Sequence, residues 1–322
     1  MLPDRPAIED AARIVRAAMP PTPQYAWPQL GEPLRAEVWV KHENHTPVGA
    51  FKLRGGLVYF DALRRRVPEC RGVVAATRGN HGQSVAFAAR RYGMAATIFV
   101  PHGNSREKNA AMRALGATLI EHGTDFQAAR EEAGRYAQAH GLHFVPSYHL
   151  DLVRGVATYW MEFFAAAPEL EVIYVPIGLG SGISACAAAR AALGRKTRIV
   201  GVVSAHAPCY ALSFAARAPV EAPVTTQLAD GLACRVPEEE ALRVLLEHVE
   251  EVVQVTDVEV AEAMRLLFTA THNVAEGAGA AALAAALKQR DRCAGRRVGL
   301  PLTGGNVDAA LFARVLAGGA WQ

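Results

Sequence analysis

The sequence predicts an α/β protein in which a parallel β-sheet carries helices on both faces. Short runs rich in β-branched residues alternate with longer segments of helical periodicity, which is typical of this class. Three predicted helices also begin directly after glycine-containing turns. Because such turns bring helix N-termini and backbone N–H groups to the carboxyl ends of strands, we expect a ligand site at that edge of the sheet.

Six segments are predicted strands, because each is short and rich in β-branched residues. They are residues 37–43 (EVWVKHE), 71–77 (RGVVAAT), 96–101 (ATIFVP), 171–178 (EVIYVPIG), 198–205 (RIVGVVSA) and 297–303 (RVGLPLT). The helices that follow the glycine turns are predicted over residues 80–92, 183–193 and 307–316. Neither an internal repeat nor a long Pro-, Gly- or Ser-rich linker marks a domain boundary.

Composition limits the possible classes of protein. Of 322 residues, 51% are hydrophobic and 20% are charged, so the chain can bury a large core. The net charge is +3 from scattered basic residues, which disfavours a nucleic-acid partner. Five widely spaced cysteines fit reduced thiols better than a zinc site. The sequence begins without a signal-peptide pattern, and its longest apolar stretch, near residues 280–287, is too short for a membrane span. We expect a soluble, cytoplasmic protein without a membrane partner.

Lys52 lies in the segment GAFKLRGG, at the start of a predicted helix. A cation near a helix N-terminus opposes the helix dipole, whereas a neutral amine or imine is tolerated there. Four turns rich in glycine or hydroxyl residues follow in the chain, namely residues 77–83 (TRGNHGQ), 178–182 (GLGSG), 276–280 (EGAGA) and 303–306 (TGGN). Lys52 could be only a surface lysine, with the four turns unrelated to it. We prefer the interpretation that all five motifs form one site.

In this order, the motifs resemble those of the serine/threonine dehydratases, which are pyridoxal-phosphate (PLP) enzymes of fold type II, and the resemblance covers nearly the whole chain. It implies a tryptophan synthase β-like fold with two open twisted sheets flanked by helices. It also implies a small domain at residues 67–146, inserted into a large PLP-binding domain made of residues 1–66 and 147–322, and a homodimer. We expect no amino-acid-sensing regulatory domain after residue 322.

The resemblance implies that Lys52 forms the imine with PLP and becomes the general base once the substrate has displaced it. It makes GLGSG the phosphate cup, in which Leu179 and Ser181 replace glycines that the family usually has. The full set of expected cofactor-binding residues is Phe51, Lys52, Asn80, Gly178, Leu179, Gly180, Ser181, Gly182, Glu276 and Thr303.

Three of these residues also have simpler interpretations. By resemblance, the Thr303 hydroxyl faces the pyridine nitrogen, although a hydroxyl residue after a strand is often an N-cap. A neutral hydroxyl does not hold that nitrogen protonated, which favours loss of a β-leaving group over transamination. Asn80 resembles the residue that hydrogen-bonds the ring oxygen of the cofactor, but it could cap a helix. Glu276 is expected to orient the cofactor ring, unless it is only a solvated carboxylate at a helix start.

The substrate-binding turn is expected to comprise Thr77, Arg78, Gly79, Asn80 and His81, whose N–H groups bind the substrate carboxylate. Arg78 stands where the family usually has a small residue. In serine racemases a serine there is the second acid–base group, so we expect negligible racemase activity from this chain. Arg78 could instead pair with a substrate carboxylate, lie against an aromatic substituent, or form an ion pair with a protein acid.

The predicted reaction is dehydrating deamination of a 3-hydroxy amino acid, by default L-threonine or L-serine, to a 2-oxo acid and ammonia. Arg78 and the aromatic residues Tyr148, Tyr159 and Trp160 keep 3-phenylserine and 3-hydroxyaspartate open as substrates, although such aromatics are more often core. A β-replacement or threonine synthase and a non-catalytic PLP- or amino-acid-binding protein are the alternative functions. Residues 201–210 lack the acidic metal ligands of related racemases, so no metal is expected.

Overall fold

A computed structural model describes residues 2–167 and 169–321. Ten strands are present in these residues: β1 (Gln24–Ala26), β2 (Glu37–His42), β3 (Gly72–Ala76), β4 (Ala95–Val100), β5 (Thr118–Glu121), β6 (His143–Phe144), β7 (Val172–Pro176), β8 (Arg198–Ser204), β9 (Glu251–Val255) and β10 (Arg297–Leu302). They form two separate sheets.

The described residues also contain fourteen α-helices. They are α1 (Arg5–Arg16), α2 (Pro28–Leu34), α3 (Lys52–Arg66), α4 (Asn80–Arg91), α5 (Arg106–Ala114), α6 (Phe126–Ala139), α7 (Leu150–Ala166), α8 (Ser181–Ala192), α9 (Cys209–Ala216), α10 (Glu239–His248), α11 (Asp257–Thr271), α12 (Gly277–Lys288), α13 (Arg290–Cys293) and α14 (Ala309–Leu316). None of them combines the length and the apolar composition that a bilayer crossing requires.

The larger sheet has the strand order β1-β2-β10-β7-β8-β9, and only the edge strand β1 runs antiparallel to its neighbour. The smaller sheet has the order β5-β4-β3-β6 and is entirely parallel. Strands β3 and β7 are buried along their whole length, as central strands covered on both faces must be. The fold is therefore the predicted α/β fold with two sheets flanked by helices.

All six predicted strands are present, with ends that differ by a residue or two from the prediction. The predicted helix at 183–193 begins earlier, at Ser181, and the one at 307–316 begins later, at Ala309. Sequence analysis missed β1, β5, β6 and β9, of which β6 has only two residues. The strands of the smaller sheet all fall within residues 67–146, so the proposed two-domain division is compatible with the topology and stays a prediction.

Candidate active site

One cavity is lined by all fourteen residues that the sequence singled out: Phe51, Lys52, Thr77, Arg78, Gly79, Asn80, His81, Gly178, Leu179, Gly180, Ser181, Gly182, Glu276 and Thr303. These residues come from five separate stretches of the chain. They meet because the turns after β3, β7 and β10 all lie at the carboxyl ends of parallel strands. The cavity encloses about 880 Å³ of atom-free space that is partly continuous with solvent.

Lys52 is the first residue of α3, and its half-buried side chain lies beside the glycine turn of residues 178–182. Its Nζ lies 3.5 Å from the Ser181 Oγ and 5.1 Å from the centre of the Phe51 ring. Burial disfavours the ammonium form and lowers the pKa of Lys52 to about 8, although the negative charge of Glu276 partly offsets this effect. Lys52 is therefore a much better nucleophile and base near neutral pH than an exposed lysine.

Backbone hydrogen bonds hold the Lys52 segment against the end of β10. The Phe51 N–H donates to the Thr303 carbonyl at 3.0 Å, and the Gly305 N–H donates to the Gly49 carbonyl at 2.9 Å. The Ser84 hydroxyl donates to the Lys52 carbonyl at 2.8 Å, which adds a link to α4. Thr303 is buried in the cavity wall, and because α14 begins only at Ala309, the N-cap interpretation of Thr303 is wrong.

The turn at residues 178–182 has the form of an anion cup. Gly180 has a φ of 96°, a left-handed conformation that favours glycine, and α8 begins at the next residue. The first N–H groups of a helix have no intrahelical acceptor, so they and the helix dipole suit a phosphate dianion. The Tyr210 hydroxyl donates to the Leu179 carbonyl at 3.1 Å, and the Trp160 indole donates to the Gly182 carbonyl at 3.0 Å. These bonds engage two carbonyls of the turn and help to fix its shape.

The turn at residues 77–81 is shaped by its own side chains. The Thr77 hydroxyl accepts hydrogen bonds from the N–H groups of Gly79 at 2.8 Å and Gly82 at 3.2 Å. Gly79 has a φ of 152°, and a Cβ there would stand 2.3 Å from the Cδ of Lys108. His81 is buried, and its pKa is lowered to about 3 by burial and by the nearby Lys52. His81 is therefore neutral at ordinary pH, and its Nε2 has no hydrogen-bond partner in the described chain.

A polar network joins Asn80 to Glu276. The Asn80 amide donates to Glu276 Oε1 at 2.5 Å, and the Asn306 amide donates to Asn80 Oδ1 at 2.9 Å. Asn80 is thus a bridging residue rather than a helix cap, since Gly79 occupies the cap position. Glu276 is buried, so the solvated-carboxylate interpretation is also wrong.

Sequence analysis missed Lys108 and Asp230, which complete this network. Lys108 Nζ lies 2.7 Å from Asp230 Oδ2 and 3.1 Å from Glu276 Oε2, and all three residues line the cavity. Burial raises the pKa of Glu276, and the Lys108 ammonium opposes that rise. No sequence signal identified Lys108, because it occupies an ordinary position on α5 and becomes special only when α5 packs over the turn at residues 77–81.

Arg78 forms no hydrogen bond or ion pair with any residue that the structure describes, and its Nε is buried without an acceptor. The interpretation of Arg78 as one half of an internal ion pair is therefore wrong. Tyr159 and Trp160 are fully buried core residues, as the simpler interpretation held, while the Tyr148 hydroxyl donates to Ser184. Within residues 2–167 and 169–321, no group of three or more His, Cys, Asp or Glu side chains is arranged to hold a metal ion.

These features fit PLP. The half-buried Lys52 can couple to an aldehyde, the cup beside it suits a phosphate, and Thr303, Asn80 and Glu276 surround the space between them. Fold and site together define a fold type II enzyme that uses an aldehyde cofactor. A family model described as "pyridoxal-phosphate dependent enzyme" matches residues 15–304, and the chain belongs to this family.

Known relatives agree with this assignment. An L-threonine ammonia-lyase of Thermotoga maritima is 33% identical over 288 residues, which cover 89% of this chain and 71% of the relative. An L-threo-3-hydroxyaspartate ammonia-lyase of Pseudomonas sp is 33% identical over 302 residues, which cover 92% of this chain and 93% of the relative. The solved structure of a T.th. threonine deaminase superposes with a TM-score of 0.87 at 30% identity, covering 95% of this chain and 99% of that one. The chain is thus similar to PLP-dependent ammonia-lyases over most of its length.

Proposed function

We propose that this chain is a PLP-dependent dehydratase that converts a 3-hydroxy amino acid, with L-threonine and L-serine as default substrates, to a 2-oxo acid and ammonia. Its similarity to L-threonine ammonia-lyases supports this reaction. The observation that carries the proposal is a half-buried lysine that lies beside an anion cup and shares its cavity with a neutral hydroxyl, in surroundings that lower the lysine pKa to about 8.

PLP, when bound, supplies an aldehyde that couples to amines and a conjugated ring that accepts electron density from the substrate Cα. Lys52 holds the cofactor and, once free, removes the Cα proton at its Nζ. The lowered pKa of Lys52 makes the unprotonated amine available near neutral pH. The N–H groups of residues 178–182 bind the phosphate, and those of residues 77–81 bind the substrate carboxylate at the start of α4.

Thr303 determines which reaction follows removal of the proton. Its hydroxyl is neutral, so it does not hold the pyridine nitrogen protonated as a carboxylate would. A cofactor bound beside this neutral hydroxyl would supply a weaker electron sink, which would favour loss of the 3-hydroxyl group over transamination. Asn80, Glu276 and Lys108 are joined by a hydrogen bond and an ion pair, which hold these three side chains in the wall of the cavity.

The proposal is tested with a panel of L-threonine, L-serine, 3-phenylserine and 3-hydroxyaspartate in each diastereomer, assayed for 2-oxo acid and ammonia. We expect turnover by the wild-type enzyme and a loss of roughly 100-fold or more in Lys52→Ala, since a positioned general base contributes at least that much. Lys196→Ala, which changes an exposed lysine, serves as the control. Borohydride reduction and peptide mapping should place the cofactor on Lys52. Labelling of another lysine, or wild-type turnover by Lys52→Ala, would refute the assignment.

The same panel separates the alternatives. A β-replacement or threonine synthase would need a second nucleophile or a phosphorylated substrate, and a non-catalytic binding protein would bind the cofactor without releasing ammonia. Racemisation is not expected, because an arginine is unable to replace the serine that acts as the second acid–base group in serine racemases. Rapid exchange of the Cα deuterium with inversion of L-serine would contradict that expectation.

We propose that the enzyme acts as a homodimer in the cytoplasm. The homodimer is implied by the family resemblance, and the five cysteines are all free thiols, which suits a reducing compartment. Analytical ultracentrifugation of the cofactor-loaded enzyme tests this prediction. A sedimentation coefficient typical of a monomer at micromolar concentration would contradict the homodimer.

A further inference from the structure

A second cavity opens beside the active-site cavity. Five residues line both of them, namely Arg78, Phe126, Leu179, Ala233 and Cys234. The second cavity lies between the start of α6, at residues 124–127, and the segment of residues 233–236. Arg78 therefore stands at the junction, with one side towards Lys52 and the other towards this outer space.

The charged residues that line the second cavity are three arginines and a single aspartate: Arg78, Arg130, Arg235 and Asp125. Asp125 is already engaged, because its Oδ1 accepts the Ala128 N–H at 2.8 Å as the N-cap of α6, and its Oδ2 lies 3.7 Å from Arg235. The N-terminus of the 14-residue helix α6 adds positive potential at the same wall. An excess of positive charge thus faces the cavity.

Two of these arginines lack a protein partner. Neither Arg78 nor Arg130 forms a hydrogen bond or an ion pair with the residues that the structure describes, and the Arg78 Nε is buried. A buried donor without an acceptor is unfavourable, and neighbouring guanidinium groups repel each other. Both costs disappear when an anion lies between them, because guanidinium groups bind carboxylates with short, charge-assisted hydrogen bonds.

In the main cavity the anion-binding groups are already assigned, because the N–H groups of residues 77–81 are proposed to bind the α-carboxylate of the substrate. Its acids Asp230 and Glu276 are held by Lys108, and its cup is reserved for the phosphate of the cofactor. A substrate bound through its α-carboxylate at residues 77–81 would place its side chain close to Arg78, which belongs to the same turn and lines both cavities.

We propose that Arg78, Arg130 and Arg235 form the side-chain subsite of the enzyme and that this subsite selects 3-hydroxy amino acids whose side chain ends in a carboxylate. The inference rests on the proposed dehydratase function and names its preferred substrate class. Arg78 meets the carboxylate first, and Arg130 and Arg235 stabilise it from the outer cavity. Threonine and serine, which lack this carboxylate, leave the subsite unsatisfied.

A matched pair of substrates tests the charge alone. 3-Hydroxyaspartate and 3-hydroxyasparagine have nearly the same shape, but only the first carries the side-chain carboxylate. We expect kcat/KM for 3-hydroxyaspartate to exceed that for 3-hydroxyasparagine by about tenfold or more, which is the effect of one charge-assisted hydrogen bond. Equal values for the two substrates, in an enzyme that turns over threonine, would overturn the inference and leave the proposed function intact.

Single-residue variants test whether Arg130 is responsible for the preference for a charged side chain. Arg130→Gln should lower kcat/KM for 3-hydroxyaspartate about tenfold while changing that for L-threonine less than twofold. The control is Arg135→Gln, on the same helix, where the side chain is exposed and pairs with Glu132. A loss that is equal for both substrates, or equal in the two variants, would contradict a role of Arg130 in charge recognition.

Binding without turnover gives an independent readout. Succinate should bind the cofactor-loaded enzyme at least about tenfold more tightly than succinamate, measured by calorimetry, and Arg130→Gln should remove the difference. This result is informative even if no substrate of the panel is dehydrated. Binding of both compounds with the same affinity would refute the subsite, whereas failure to release ammonia from any substrate would refute the proposed function.

Discussion

At the scale of single residues, the proposed attachment of the cofactor to Lys52 predicts a pH dependence of cofactor loading. Only the unprotonated amine couples to an aldehyde, and burial lowers the pKa of Lys52 to about 8 while Glu276 raises it. The rate of cofactor attachment to the cofactor-free protein should therefore rise with pH and level off above about 8. Stopped-flow absorbance at a series of pH values measures this midpoint.

Glu276→Gln tests the electrostatic part of this explanation. Loss of the carboxylate removes the charge that stabilises the ammonium form, so the midpoint should move to lower pH. Glu262→Gln, which changes an exposed acid on α11, should leave it in place. A midpoint near that of free lysine would show that burial does not lower the pKa of Lys52, and a midpoint that Glu276→Gln does not shift would show that the charge of Glu276 does not raise it.

At the scale of the elements, close packing of α3 on α7 positions Lys52. The two helices touch through glycine, and a Cβ at Gly155 would lie 2.2 Å from the Arg54 carbonyl and 2.7 Å from the Gly55 Cα. Backbone atoms cannot move aside as a flexible side chain can, so Gly155→Ala must push the helices apart. We expect a loss of about 1–3 kcal/mol in the free energy of unfolding, together with weaker cofactor binding.

Gly134→Ala is the matched control for that prediction. Gly134 also lies inside a helix, α6, but a Cβ there would meet nothing within 4 Å. Alanine should therefore stabilise the chain by roughly 0.5–1 kcal/mol through helix propensity alone. Urea unfolding of both variants measures the two effects, and similar changes in both would mean that the crossing of α3 and α7 is not tightly packed.

Local sequence patterns predicted most of these elements but not all. The strands that form the centre of each sheet carry long β-branched runs, and the structure places them within a residue or two of the prediction. Strand β6 has two residues and β1 has three, and runs that short have no measurable period. The start of α8 at Ser181 was missed because glycine and serine are poor helix formers, and tertiary contacts decide their conformation.

At the scale of the whole molecule, the active site was predictable because its turns follow β3, β7 and β10, and parallel strands bring their carboxyl ends together. Lys108 and Arg130 were not predictable. Lys108 lies in the first turn of α5 and Arg130 lies within α6, and only the packing of these helices against the larger part of the chain brings the two side chains to the cavities. Sequence motifs thus identified residues that meet in one cavity, whereas the residues proposed to select the substrate are brought there only by the packing of α5 and α6.

A buried charge network connects Lys52 to the rest of the fold. Arg54, two residues after Lys52, contacts Glu43 at 2.8 Å and Glu162 at 2.8 Å, and Lys41 lies 2.7 Å from the same Glu162 carboxylate. These residues link the end of β2 to α3 and α7. Burial acts against ionisation of Glu162, but hydrogen bonds and charges from Arg54 and Lys41 lower its pKa below the usual 4.5. Glu162 therefore stabilises the fold above that pH, and this contribution is lost as the pH falls below it.

Removal of Arg54 should consequently affect the whole molecule. Arg54→Met leaves Glu43 and Glu162 buried with only Lys41 to balance them, so we expect a loss of about 3–5 kcal/mol in the free energy of unfolding at neutral pH, measured with urea. Arg5→Met, which breaks an ion pair whose side chains are 60% and 50% exposed, should cost less than about 1 kcal/mol. Because protonation relieves the unbalanced carboxylates, the deficit of Arg54→Met should shrink as the pH falls towards 4. A deficit that is the same at all pH values would indicate lost packing rather than unpaired buried charge.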